Sequence, residues 1–330
     1  MIDTLVDLVR PGHPLAGSLL LFGIGLGFLL AGAELFVLAS VRLSVRLGLP
    51  RITVGLTLVA LGTSLPELGA SLAAVLGKID GGQELALGNA LGSNVANIGL
   101  LLGLAALVKP LRTGPGRHGG HLLVMVGSAA AFAVLACTAG GIDRMAATAG
   151  LAVFLIYIWL LFRPRVAAYP GTRAIDAPSP PGSLPGDAVL LVLGAALVWV
   201  GSEVLVRGAA DLAAQLSVSA GVIGATVVAV GTSLPELAVS FSAGRRGEGA
   251  ILLGNLVGSN IANLLLVLGV VALVRPLAIG AEALVWYTPA LLVFTVAMAV
   301  LVAVGRGVRR RDGLLLLVLY AVFQVILWTR

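Results

Sequence analysis

The 330 residues are 59% hydrophobic and 11% charged, and with a mean hydropathy of +1.08 they carry too little polar surface to cover a water-exposed globule, so the chain belongs in a bilayer. A net charge of +6 and a pI near 10.2 would suit nucleic acid, but the basic residues are scattered through short connectors and never interleave with aromatics, so no nucleic-acid partner is expected. Cys137 has no second cysteine to pair with, and His13, His118 and His121 show no metal-ligand spacing.

A membrane helix needs roughly 20 mostly apolar residues. Ten such spans are expected, over 16–41, 52–77, 84–108, 119–140, 145–162, 187–208, 218–243, 250–274, 284–305 and 313–329. Ahead of them, the first fourteen residues carry two acids and no basic region leading to a cleavage site. They read as a short surface helix, not a removable signal peptide. The longest connector holds Pro164, Pro170, Pro178, Pro180, Pro181 and Pro185, which forbid a continuous helix. The organisation expected is a five-helix unit over 1–163, a cytoplasmic Pro-rich linker over 164–186 and a second five-helix unit over 187–330.

Lysine and arginine set the orientation. With ten spans, fifteen fall on one side, from Arg42, Arg46 and Arg51 through to the Arg306–Arg311 cluster. The other side receives six: Arg10, Lys78, Arg144, Arg207, Arg275 and Arg330. The positive-inside bias then places the arginine-rich side in the cytoplasm and both termini outside, and the compactness of the chain points to a plasma (inner) membrane. The arginine cluster itself reads as a topology anchor that contacts anionic membrane lipid secondarily.

The halves are duplicates. Residues 53–74 align without gaps to residues 222–243 at 13 of 22 positions, and residues 86–103 match 252–269 at 11 of 18. Glu34 and Glu203 each precede the matching Pro-Glu glutamate by 33 residues. The matched helices are the second and seventh, five crossings apart, and an odd number of crossings makes the repeats inverted. Inverted repeats about a midplane site are the architecture of alternating-access secondary transporters.

Each copy of GTSLPE sets a proline midway along a membrane helix. Pro66 and Pro235 cannot donate to the carbonyls of Gly62 and Gly231, and those carbonyls need another partner because unsatisfied backbone in hydrocarbon costs several kcal/mol. Glu67 and Glu236 follow directly, and an ionised acid at that depth must be paired or coordinated. No lysine or arginine is near in sequence. Thr63, Ser64, Thr232 and Ser233 add hydroxyls one turn earlier. Carboxylate, hydroxyl and carbonyl oxygen form a hard-cation set, suited to calcium or sodium better than to magnesium or a transition metal.

The second motif, GSNxxN, supplies Ser93, Asn94 and Asn97 and then Ser259, Asn260 and Asn263. Serine and the later asparagine are an i,i+4 pair on one inward face. Asn94 and Asn260 read as interhelical glue, and Asn89 and Asn255 as caps near helix starts. Glu203 has Arg207 one turn on and reads as a structural ion pair. Glu34 has no such neighbour and is open to three readings: protonated, facing water near an entrance, or paired with a distant helix.

At the paired GTSLPE and GSNxxN motifs the chain resembles the calcium/cation antiporter superfamily, in its prokaryotic sodium/calcium exchanger branch. The resemblance implies an all-α membrane protein of ten transmembrane helices in two inverted five-helix repeats, a transporter and not an enzyme, with calcium and sodium as cargo and no cofactor. It further implies calcium bridged by Glu67 and Glu236 with the Thr63 and Thr232 carbonyls. Sodium would use overlapping sites drawing on the Ala60 and Ala229 carbonyls, Ser64, Ser233, Ser93 and Ser259, and Asn97 and Asn263 would line the middle. Several relatives carry aspartate where this chain has Asn263, which makes potassium dependence unexpected. A proton/calcium exchanger is the runner-up and a cation channel a third reading. A membrane-embedded hydrolase would need a catalytic aspartate pair, a zinc motif or a serine with a base, and none is visible.

Overall fold

Long runs of Leu, Val and Ala satisfy their backbone groups without water only by forming helix, and helix dominates the computed structural model. It describes residues 14–76, 82–111, 119–163, 181–215, 229–304 and 307–329. In chain order these form α1 (Pro14–Arg46), α2 (Arg51–Leu76), α3 (Gly82–Val108), α4 (Gly119–Thr138) and α5 (Arg144–Leu161). There follow α6 (Leu184–Gln215), α7 over residues 229–246, α8 (Gly249–Val274), α9 (Ala283–Ala303) and α10 (Arg310–Trp328). Eight helices among the described residues are long and apolar enough to cross a membrane: α1 to α6, α8 and α9. The N-terminal segment, most of the Pro-rich linker and the first half of the 218–243 span lie outside the described residues.

α1 and α6 outrun the spans expected for them. The 33 residues of α1 measure about 50 Å, against a hydrocarbon core of about 30 Å. The surplus is polar and held by charge: Arg42 and Arg46 near the end of α1 both pair with Asp187 at the start of α6. Along most of their length the two helices meet backbone to backbone. Gly25 and Gly32 on α1, and Gly194, Gly201 and Gly208 on α6, recur at seven-residue spacing. A Cβ on Gly25 would lie 2.3 Å from the Leu205 nitrogen, and one on Gly201 would lie 2.4 Å from the Leu29 nitrogen.

α3 and α8 form the centre. In their most apolar stretches 72% and 78% of the residues are buried, against 22% in α5, so α5 belongs to the periphery. α8 crosses α2 at a glycine contact, where a Cβ on Gly254 would lie 2.8 Å from the Gly55 Cα. Short antiparallel pairings clip the connectors. Gly141–Ile142 after α4 pairs with Leu277–Ala278 after α8, and Leu111 after α3 bridges Val308 before α10. The two pairings sit at opposite ends of α3: the Ala278 amide donates to Gln83 in its first turn, whereas Leu111 follows its last residue, Val108. Large apolar side chains such as Leu123, Val192 and Trp159 lie exposed on the outside, the surface a lipid-facing protein needs.

Candidate ion-binding site

Both proline motifs break their helices where the missing N–H dictates. Ser64 sits at φ −89°, ψ 4° and Ser233 at φ −92°, ψ 3°, outside helical geometry. Each break starts a fresh helix, Leu65–Leu76 and Leu234–Arg246, with Glu67 or Glu236 in its first turn. That end of a helix carries partial positive charge, which favours an acid there. One freed carbonyl finds its partner on α6, where the Ser202 hydroxyl donates to the Gly231 carbonyl at 2.9 Å.

The two motifs converge. Glu67 is 0% and Glu236 1% exposed. Ser64 on α2 donates to Glu236 Oε1 on α7 at 3.1 Å. Ser93 on α3 and Ser233 at the α7 break share a hydrogen bond of 3.2 Å. Ser259, Asn97 and Asn263 are buried on the neighbouring faces. Thr63 is buried and Thr232 half-buried. Ala60 is buried, and its carbonyl accepts from the Ser64 amide. The Ala229 backbone opens α7, while its side chain lies outside the described residues. The cluster thus gathers residues from α2, α3, α7 and α8.

Its polar atoms are conspicuously under-bonded. Among the described residues, buried side-chain oxygens with no hydrogen-bond partner are both of Glu67, Oε2 of Glu236, Oγ of Ser259 and Oδ1 of Asn97, Asn260 and Asn263. The Asn97 amide nitrogen completes the set. All seven oxygens come from the two repeated motifs. Buried polar groups are ordinarily satisfied, and oxygens of carboxylate, hydroxyl and amide left without a protein partner are atoms that could hold a hard cation. Beside the cluster, between the breaks and the α1/α6 pair, lies a narrow cleft walled by Phe36, Gly62, Thr63, Pro66, Ala195, Val198, Trp199 and Pro235.

A family model described as sodium/calcium exchanger protein matches residues 17–163 and 187–329. The sodium/calcium exchanger MaX1 of Methanosarcina acetivorans is 32% identical over 94% of this chain and 98% of its own length. The chain belongs to the sodium/calcium exchanger family. The inner membrane protein YrbG of Escherichia coli, 34% identical over 79% of this chain and 81% of its own, is a further relative. The solved structure of the sodium-calcium exchanger NCX_Mj soaked with sodium and calcium superposes with a TM-score of 0.79, at 32% identity over 92% of this chain and 96% of that one.

Within this exchanger fold, two asparagines correct the expectation that they cap helix starts. Asn89 and Asn255 lie inside α3 and α8, and both bind across the halves. Thr63 Oγ1 donates to Asn255 Oδ1 at 3.1 Å, and Asn255 Nδ2 donates to Ser240 Oγ at 3.1 Å. In the counterpart, Thr232 Oγ1 donates to Asn89 Oδ1 at 3.2 Å, and Asn89 Nδ2 donates to Ser71 Oγ at 2.9 Å and to the Glu67 carbonyl at 3.0 Å. The helical spacing 89, 93, 97 and 255, 259, 263, one i,i+4 face in each half, was the available signal. Asn94 joins helices as expected, its Nδ2 donating to the Asn260 carbonyl at 3.1 Å, whereas the Asn260 side chain donates to the Leu256 carbonyl of its own helix at 2.8 Å and is not the interhelical glue expected.

The outlying acids resolve into ion pairs. Arg207 donates to Glu203 at 2.7 Å within α6. Of the three readings of Glu34, pairing with a distant helix is the one observed: it accepts from Arg246 at 2.7 Å and from Ser242 at 2.8 Å, both on α7.

Proposed function

We propose that the protein is a secondary antiporter exchanging sodium for calcium by alternating access, in a ten-span fold of two inverted five-helix repeats. The ten-span count takes α7 as the second half of a helix over 218–243 and α10 as the last crossing. Two features support the repeat. The hydrogen-bond chains Thr63, Asn255, Ser240 and Thr232, Asn89, Ser71 interchange when the halves are exchanged. The connector pairings after α3 and α8 interchange in the same way, and their lying at opposite ends of α3 is what inversion requires. The domain limits are 1–163 and 187–330, joined by the cytoplasmic linker over 164–186, with both termini outside.

In this reading Glu67 and Glu236 bridge calcium, with the carbonyls of Thr63 and Thr232 completing its shell. The Thr63 and Thr232 hydroxyls donate to Asn255 and Asn89, which ties both threonines, and so their carbonyls, to the opposite half. Sodium occupies overlapping positions built from the Ala60 and Ala229 carbonyls and from Ser64, Ser233, Ser93 and Ser259. Asn97 and Asn263 line the middle. Two carboxylates neutralise one calcium or two sodium ions, and shared ligands make the occupancies mutually exclusive. Competition for one set of oxygens is the coupling, and each ion set stabilises its own occluded state. The α1/α6 unit then moves across the fixed site to expose one face or the other.

The single observation behind this reading is the fully buried Glu67 carboxylate with neither oxygen hydrogen-bonded, while Ser64, one turn before it, donates to a second buried carboxylate, Glu236. An arrangement costing several kcal/mol per uncompensated charge persists because a cation belongs between them. Radioactive calcium uptake into sodium-loaded proteoliposomes tests it. Uptake should require the sodium gradient, survive a proton ionophore, and vanish in Glu67→Gln and Glu236→Gln purified as folded protein. Gradient-independent calcium flux would indicate a channel, and ionophore sensitivity a proton-coupled exchanger.

A further inference from the structure

Asn94 stands outside the ligand set, yet its amide is tied to a member of it. The polarity of that tie follows from elementary hydrogen-bond chemistry. The Asn260 backbone carbonyl can only accept, so the Asn94 atom 3.1 Å from it is the amide nitrogen. The other end of the Asn94 amide is therefore its oxygen, which can only accept. Asn263 approaches that oxygen at 3.1 Å and must present its own nitrogen. The Asn263 oxygen is thereby turned away from Asn94, and it lies buried with no hydrogen-bond partner. One backbone carbonyl thus orients two successive side-chain amides.

The other half has no such device. Asn260, the counterpart of Asn94, donates to the Leu256 carbonyl of its own helix at 2.8 Å. Asn97, the counterpart of Asn263, has neither its amide nitrogen nor its oxygen hydrogen-bonded. The Asn263 oxygen is locked in direction, whereas Asn97 is free to turn either end of its amide inward.

We propose that Asn94 is a positioning residue that fixes the Asn263 side-chain oxygen as an ion ligand, making the middle of the site asymmetric between the halves. The proposal rests on the reading of Asn263 as lining that site. Locking an amide oxygen in place before the ion arrives removes the reorientation that binding would otherwise require, which raises affinity without a new contact.

A double-mutant cycle on transport in proteoliposomes tests it, using Asn94→Ala, Asn263→Ala and the double variant. Half-saturating sodium and calcium concentrations are read separately from maximal exchange rates. Asn94→Ala should raise the half-saturating concentration of at least one ion about five-fold, the loss expected for one hydrogen bond's worth of ordering, with the maximal rate nearly unchanged. The double variant should be no weaker than Asn263→Ala alone, since Asn94 acts only through that residue. Multiplying effects in the double variant would overturn the positioning role while leaving the site intact. Unchanged affinities in Asn263→Ala would instead remove the ligand reading beneath it. Should Asn94→Ala not purify as folded protein, Asn94→Ser serves the same cycle. Its hydroxyl supplies a donor for the Asn260 carbonyl but is too short to reach Asn263 as well.

Discussion

Thr63 on α2 donates its hydroxyl to Asn255 on α8, a 3.1 Å bond between residues 192 positions apart. The bond ties the hydroxyl proton to the scaffold, and in the proposed site the ion contact from Thr63 is its carbonyl. Thr63→Val keeps that carbonyl and strands the buried Asn255 oxygen, at a cost of about 1–3 kcal/mol. Thermal unfolding in detergent should show a lowered midpoint, while sodium-driven calcium uptake persists with a half-saturating calcium concentration within about three-fold of the parent. Loss of uptake in a folded Thr63→Val protein would make the hydroxyl the ligand.

Ion binding should be visible as stability. A ligand that binds only the folded state stabilises it by RT ln(1 + [L]/Kd), about 2.7 kcal/mol at one hundred times Kd. Calcium is expected to raise the unfolding midpoint of the parent protein, and sodium to do so at higher concentration. In Glu67→Gln the calcium increment should disappear. Its apo midpoint should stand at or above that of the parent, because a buried acid with no counter-charge has been replaced by a neutral amide. A calcium increment of parental size in that variant contradicts the bridging role.

Much of this was legible in the chain. GTSLPE announces a helix break followed by an acid, because proline's missing N–H acts locally whatever the tertiary setting. Breaks at Ser64 and Ser233 accordingly stand where the motif places them. Asn255 misled for an equally physical reason. Gly254 before it looks like helix punctuation, but it is needed for packing, since a Cβ there would lie 2.6 Å from the Ile52 carbonyl of α2. The π-helical turns opening at Asn97 and Asn263 depend on one extra residue being accommodated between packed helices, which no local pattern encodes. The partner of Glu34 lies 212 positions away, beyond the reach of any spacing rule.

That long-range pair predicts a conformational effect. Arg246 and Ser242 tie Glu34, and so α1, to α7, whereas the Glu203–Arg207 pair lies within α6 and travels with it. If α1 and α6 move as a unit against α2 and α7, only the first tie must break. Both members are more than a third exposed, so the pair is worth at most about 1 kcal/mol. Glu34→Gln should therefore shift the conformational equilibrium by about two- to five-fold away from the arrangement described here, with little change in unfolding midpoint. Labelling rates of single cysteines along the cleft beside Trp199, in a background where the exposed Cys137 is replaced, would register the shift. Identical rates in parent and variant contradict it.

The α1/α6 unit itself makes the sharpest packing prediction. In lipid, helices gain little from hiding apolar surface from one another, and association depends on close van der Waals contact, which small residues permit. Gly25 faces Leu205 so closely that an added methyl would lie 2.3 Å from its backbone nitrogen, while Gly27, two residues on, has nothing within 4 Å. Both glycines lie in the same helix, so alanine carries the same propensity gain of about 1 kcal/mol at either position. Gly27→Ala is expected to be neutral or slightly stabilising. Gly25→Ala must push two backbones apart, and should lower stability by more than about 2 kcal/mol. Thermal unfolding of the two variants in one detergent separates packing from propensity, because propensity cancels between them. Exchange rates should fall only in Gly25→Ala, since a pair of helices wedged apart no longer travels as one body. Equal midpoints would mean that α1 and α6 are not in backbone contact.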